Sequence, residues 1–261
     1  MQEMRFAEHR VEVDGFSVRY LEAGAGLPLV MVHGAGGLII SQAHLLLARR
    51  FRVIALECPG FHGGVNDRTK DGREMAATLA AAVEAIGVER YALQGTSMGG
   101  VVACWLAVQY PERLTSLILE APAAFRGAAT PAEMTPEQMM AAFHAHPERK
   151  QITPPDPEAQ ARVWPLVERL VGSAHDDALA EALRGLTVPT LVMYGTRDGL
   201  FGVAPGRTFK ELIAPCTFVK VYDAAHDIAG DRPEAFADLV GEFAERQERF
   251  YVPRASTVIN R

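Results

Sequence analysis

Gln94-Gly95-Thr96-Ser97-Met98-Gly99-Gly100 sets a serine midway between two glycines, each two residues away. A serine hydroxyl is a weak nucleophile unless a base takes its proton and the backbone presents it to a substrate. Gly-x-Ser-x-Gly at a strand-to-helix junction meets the second need. The turn is so sharp that its flanking residues must be small, and the helix N-terminus favours negative charge developing beside the hydroxyl. Six serines and 23 glycines in 261 residues give about 0.05 such patterns by chance, and this chain has one. An apolar strand, Tyr91–Gln94, precedes it and a helical run, Val101–Tyr110, follows. The alternative is a glycine-rich turn with an idle serine. The pattern points to attack by Ser97 on an acyl carbon.

Such a serine needs a base, and the base needs an acid to orient it. For this type of turn the acid and then the histidine follow the serine along the chain. His226, in Asp223-Ala224-Ala225-His226-Asp227, comes just after the last apolar strand, Thr217–Tyr222. His62, on the loop after Arg52–Leu56, is its one competitor. His9 falls in an N-terminal hairpin, and His144, His146 and His175 fall in an irregular middle region. Two acids stand at strand ends, Asp198 after Thr190–Tyr194 and Glu120 after Leu114–Leu119. Asp198 is preferred and Glu120 is kept as the alternative, since either could instead serve as a loop or helix-capping carboxylate. His33-Gly34-Ala35-Gly36-Gly37 follows the first central strand, Leu29–Val32. Its glycines would let backbone N–H groups approach a ligand, although a plain tight turn has the same composition. An oxyanion hole would combine the N–H groups of Met98 and Ala35.

Strands apolar throughout, alternating with helical runs, imply an α/β architecture with a mainly parallel sheet covered on both faces. Ligands of such sheets sit at the carboxyl ends of the strands, where all these candidates fall. Asp14-Gly15 predicts a hairpin between His9–Val13 and Phe16–Leu21. Helices are expected over about Glu74–Ile86 and Pro233–Arg249. From about Pro122 to Leu186 no strand-like run appears. Helical patterns near Pro136–His144, Glu158–Val171 and Asp176–Leu183 surround a proline-rich segment, Thr153–Pro157. This predicts a core of residues 1–121 and 187–261 with a helical cap insertion, 122–186, lying over the site. Phe125, Met134, Met139, Met140, Phe143 and Trp164 are its pocket candidates, Phe125 and Trp164 foremost. The tail, Tyr251–Arg261, has no periodicity and is expected to be poorly ordered or packed on a neighbour.

The formal net charge of −6 argues against nucleic acid as a partner, because phosphate contacts need a basic face. Three cysteines without a CxxC pair suit a reducing compartment. The N-terminal MQEMRFAEHRVEV does not read as a signal peptide, and no apolar run reaches the roughly 18–20 residues of a membrane span. A cytoplasmic protein with no membrane partner is the expectation.

Together, HGAGG, ALECPGFHGG, GTSMGG, YGTRDGLF and DAAHD resemble the α/β-hydrolase fold superfamily, in order and spacing, over nearly the whole chain. The resemblance implies an eight-stranded, mostly parallel sheet with a helical cap, the triad Ser97–Asp198–His226, no metal and no organic cofactor. Serine at 97 departs from the haloalkane dehalogenases and epoxide hydrolases of this fold, which carry aspartate there. Glu57 stands where relatives often have aspartate, and His62 where a small residue is usual. The meta-cleavage C–C hydrolases are similar at the serine turn but usually carry tryptophan after the histidine, where this chain has Asp227. The expected function is therefore hydrolysis of a carboxylic ester of a small to medium, partly apolar molecule. Lactonase, thioesterase, C–C hydrolase and cofactor-free perhydrolase are alternatives, and a non-catalytic binding module is a more distant one.

Overall fold

The computed structural model describes residues 4–127, 134–149, 156–252 and 258–260. Asp14 and Gly15 turn the chain between β1 (Ala7–Val13) and β2 (Phe16–Ala23), both with the positive φ that a two-residue hairpin turn demands. The apolar runs follow as β3 (Leu27–Val32), β4 (Phe51–Leu56), β5 (Tyr91–Thr96), β6 (Leu114–Glu120), β7 (Thr190–Gly195) and β8 (Cys216–Val221). Between these run α1 (Gln42–Leu47), α2 (Gly72–Ala85) and α3 (Met98–Gln109). Then come α4 (Pro136–Phe143), α5 (Pro157–Val171) and α6 (Asp177–Arg184), all between β6 and β7. α7 (Pro205–Leu212), α8 (Ile228–Asp231) and α9 (Pro233–Arg246) complete the helices, and a short β9 (Val258–Asn260) follows.

Among the described residues one sheet holds all the strands, in the order β1-β2-β4-β3-β5-β6-β7-β8-β9. β3 through β8 pair in parallel, while β1, β2 and β9 join antiparallel at the two edges. Side chains alternate across the sheet. Val30 and Val32 of β3 enter one core, with Leu79 of α2, Leu106 of α3 and Phe209 of α7. Leu29 and Met31 enter the other, with Leu47 of α1 and Phe236 and Phe243 of α9. Because both faces are covered, the central strands carry no polar stripe. Because the central strands are parallel, the loops after β3, β5, β6, β7 and β8 all open at one edge.

Proline opens both α4 and α5, where a missing N–H costs nothing. Thr135, Asp156 and Asp176 cap α4, α5 and α6 by accepting from Gln138, Glu158 and Leu179 N–H groups. α5 packs on α2 and α3, and α6 on α3 and α7. The proline-rich stretch before Asp156 lies outside the described residues. The structure departs from the sequence pattern in three ways. α3 begins at Met98, directly after the serine, and not at Val101. α1 and α7 are helices that the patterning did not separate from their loops. The tail contributes β9, whose Val258–Asn260 pair with Val221–Val219, so that the described residues form nine strands where eight were expected.

Candidate active site

β5 ends at Thr96 and α3 starts at Met98, so Ser97 alone makes the turn, at φ 52° and ψ −112°. A serine with positive φ is strained, and the surroundings hold it there. Ser97 N–H donates to the Glu120 carbonyl at 2.9 Å, and the Ser97 carbonyl accepts from Gly100 at 3.0 Å and Ala123 at 2.9 Å. The flanking glycines are obligatory. A Cβ on Gly95 would meet the Gly99 carbonyl and Ala103, one on Gly99 the Val32 and His33 carbonyls, and one on Gly100 the Pro122 ring. The strand, the serine turn and the loop after β3 thus interlock at backbone distance.

His226 lies on the loop after β8 and Asp198 on the loop after β7. The imidazole Nε2 stands 3.0 Å from Ser97 Oγ, and Nδ1 stands 3.0 Å from Asp198 Oδ2. The other carboxylate oxygen, Asp198 Oδ1, accepts the backbone N–H groups of Leu200 and Phe201, each at 2.9 Å. Those bonds and full burial of the side chain leave the carboxylate one orientation. Ser97 is half-buried, so its hydroxyl remains reachable. With Nδ1–H donated to Asp198, Nε2 is free to accept the serine proton.

The loop after β3 is held by His33. Its Nε2 accepts the Cys58 N–H at 3.0 Å, which puts the proton on Nδ1, 2.6 Å from the Gly34 carbonyl. Burial lowers His33 to about 4, so the neutral ring keeps this arrangement at ordinary pH. A Cβ on Gly34 would sit 3.5 Å from Ser97 Cβ, so the loop passes directly beside the serine. Ala35 follows on that loop, and Met98 is the first residue of α3.

The remaining candidates go elsewhere. Glu120 does not reach His226. Its Oε2 accepts from Thr96 Oγ1 at 2.7 Å and its Oε1 from Ala229 N–H at 2.8 Å, which ties the serine turn to the base's loop from beneath. Burial pushes its carboxyl up to about 8, with the Asp227 carboxylate adding to the rise. His62 is exposed, and the neighbouring Glu57 pairs with Arg19 at 3.1 Å. Phe125 is buried in the core against Phe209 and His175. Trp164 faces outward, 48% exposed, and its indole donates to Glu168 one turn along α5. Buried Cys58 and Cys104 have their thiols pushed up by desolvation, so neither offers a thiolate nucleophile. Among the described residues, no cluster of three or more histidine, cysteine or acidic side chains is placed to hold a metal ion. No helix among them is long and apolar enough to cross a membrane.

Two contacts were not foreseen. Phe201 and Phe143 both set their rings edge-to-face with the His226 imidazole, at 4.9 and 5.1 Å between centroids. Phe201 sits three residues after Asp198, and that spacing could have flagged it. Phe143, the last residue of α4, is one of the pocket candidates, but nothing in its local sequence points to the base.

The alpha/beta hydrolase fold family model matches residues 28–173. Two curated relatives align over nearly the whole chain. A 2-hydroxymuconate semialdehyde hydrolase from Pseudomonas sp. strain CF600 is 28% identical, covering 88% of this chain and 90% of that protein. A pimeloyl-[acyl-carrier protein] methyl ester esterase from Aeromonas hydrophila is 29% identical, covering 87% and 99%. The chain spans 32%, 42% and 60% of the length of the first curated relatives it matches. Among solved structures, a serine hydrolase involved in carbazole degradation is 25% identical with a TM-score of 0.77, over 92% of this chain and 99% of that one. The family model covers more than half of the sequence and includes the serine turn, and the chain belongs to the alpha/beta hydrolase fold family.

Proposed function

We propose that the chain is a serine hydrolase that cleaves a carboxylic ester of a small to medium, partly apolar molecule through an acyl-enzyme. Ser97 Oγ attacks the carbonyl carbon while His226 Nε2 takes its proton. Asp198 holds the imidazole in the useful tautomer and stabilises the imidazolium that forms. The N–H groups of Met98 and Ala35 stabilise the oxyanion. His226 then gives its proton to the departing alcohol. Water, deprotonated by the same imidazole, attacks the acyl-enzyme and releases the acid. The observation that carries this reading is the unbroken chain Ser97 Oγ–His226–Asp198, two 3.0 Å contacts ending on a serine held at positive φ. The segment 122–186 acts as the cap over a core of 1–121 and 187–261. Support comes from the end of α4, which abuts the His226 loop.

A second reading, C–C hydrolysis on the same residues, is favoured by the 2-hydroxymuconate semialdehyde hydrolase, which aligns as fully as the esterase does. A panel of aryl esters, lactones, thioesters and a vinylogous diketone at pH 7–8 separates the two. The ester reading expects the highest kcat/KM on an ester. Turnover of the diketone alone would replace it with the second.

A further inference from the structure

We infer that Phe143, carried by the insertion, is a positioning residue for the imidazole of His226. The inference rests on the serine-hydrolase reading above and adds to it a dependence of the base on α4.

The imidazole's two ring nitrogens are both engaged, with Asp198 and with Ser97. Hydrogen bonds at both ring nitrogens fix the ring within its plane and leave a tilt about the axis joining them. Phe143 and Phe201 meet the ring at interplanar angles of 83° and 85°, where their bulk opposes that tilt. The two come from different places. Phe201 belongs to the acid's own loop, and its N–H holds Asp198 Oδ1. Phe143 arrives from an insertion more than 50 residues before that loop.

The end of α4 is also bonded to both loops it serves. The Ala142 carbonyl accepts Gly199 N–H at 3.2 Å, beside Asp198, and the Phe143 carbonyl accepts Asp227 N–H at 3.0 Å, beside His226. A Cβ on Gly199 would come within 2.7 Å of Ala142 Cα, so only glycine lets the helix end approach this closely. One turn further, Asp231 Oδ2 accepts both Ala145 N–H at 2.8 Å and Ala225 N–H at 2.9 Å. The Asp231 side chain is almost fully buried, and it joins the insertion to the residue preceding His226. Phe143 is thus placed by bonds to the acid's loop and the base's loop together, and its ring is set against the base.

The test compares Phe143→Ala, Phe143→Tyr and wild type in the full-length chain, with folding checked by circular dichroism. Two rates are read: steady-state turnover of an aryl ester, and covalent labelling of Ser97 by a fluorophosphonate, which needs the serine and its base but no natural substrate. Phe143→Ala is expected to lower kcat and the labelling rate together by about tenfold to a hundredfold, as misplaced catalytic groups do, with KM changed less than about twofold. Phe143→Tyr, which keeps the ring, recovers most of both rates. If the alanine variant does not fold, Phe143→Leu carries the same comparison. Wild-type labelling in the alanine variant overturns the inference, as does a loss confined to KM, which would make Phe143 a substrate contact. A tyrosine variant as impaired as the alanine one also overturns it. Absence of labelling in the wild type is a separate failure, since it removes the serine-hydrolase reading itself.

Discussion

At the scale of single residues, the two acids show how the site separates its tasks. Asp198 takes two backbone N–H groups on one oxygen and the imidazole on the other. Glu120 lies buried beneath the serine turn, where its oxygens accept from Thr96 and Ala229. Asp198→Asn keeps the shape but offers Nδ1–H a donor or the wrong tautomer, so kcat on an aryl ester is expected to fall by about 10³–10⁴. Glu120→Gln preserves the volume and one acceptor, and it should cost about tenfold or less. A dead Glu120 variant beside a working Asp198 variant would reverse the assignment. The sequence favoured Asp198, but position alone does not decide between these acids, because both follow parallel strands and both precede His226. What separates them is the direction in which each carboxylate leaves the sheet. The serine turn was legible because its steric demand is written in residue types: the atoms crowding Gly95, Gly99 and Gly100 leave room for nothing larger.

At the scale of elements, the insertion is joined to the core at several points. Arg169 of α5 donates to the Thr69 carbonyl at 2.9 Å and the Asn66 carbonyl at 2.6 Å, and the Ala142 carbonyl of α4 accepts Gly199 N–H at 3.2 Å. The two aromatic residues expected to line a pocket have different places in this packing. Phe125 fills the core next to α7, whereas Trp164 stands on the outer face of α5. Phe125→Ala is therefore expected to cost about 3–5 kcal/mol of stability. Trp164→Ala should cost under about 1 kcal/mol and leave the ranking of acyl chain lengths unchanged. Urea unfolding midpoints and a chain-length series check both. Periodicity showed that α4, α5 and α6 would be helical but could not show which apolar face meets the core. α1 and α7 escaped for a different reason. α1 has only six residues, and α7 presents only Phe209 and Leu212 as large buried apolar residues, too few to define a period. β9 pairs as an edge strand, and edge pairing leaves little apolar signature.

At the scale of the whole molecule, buried groups with opposite shifts shape the dependence of stability on pH. Burial lowers His33 and His44 from 6.5 to about 4. Their contribution is present above pH 6.5 and is lost as pH falls towards 4. Glu120 is raised from 4.5 to about 8. Its contribution is present below pH 4.5 and is lost as pH rises through 8. Between 4.5 and 6.5 the two slopes oppose each other, and above 6.5 only the Glu120 loss remains. Wild type is expected to lose about 2 kcal/mol from Glu120 between pH 6.5 and 8, and Glu120→Gln should remove that part of the fall. Parallel Tm profiles for the two proteins check this, and identical slopes would contradict it. The central claim is that Ser97 is the nucleophile that His226 activates. Its most direct measurement is the intact mass of the whole protein after exposure to a fluorophosphonate, for wild type and Ser97→Ala. The account predicts one adduct per wild-type chain, on the peptide containing Ser97, and none on the variant. An unlabelled wild type, or an adduct that survives the substitution, would contradict it.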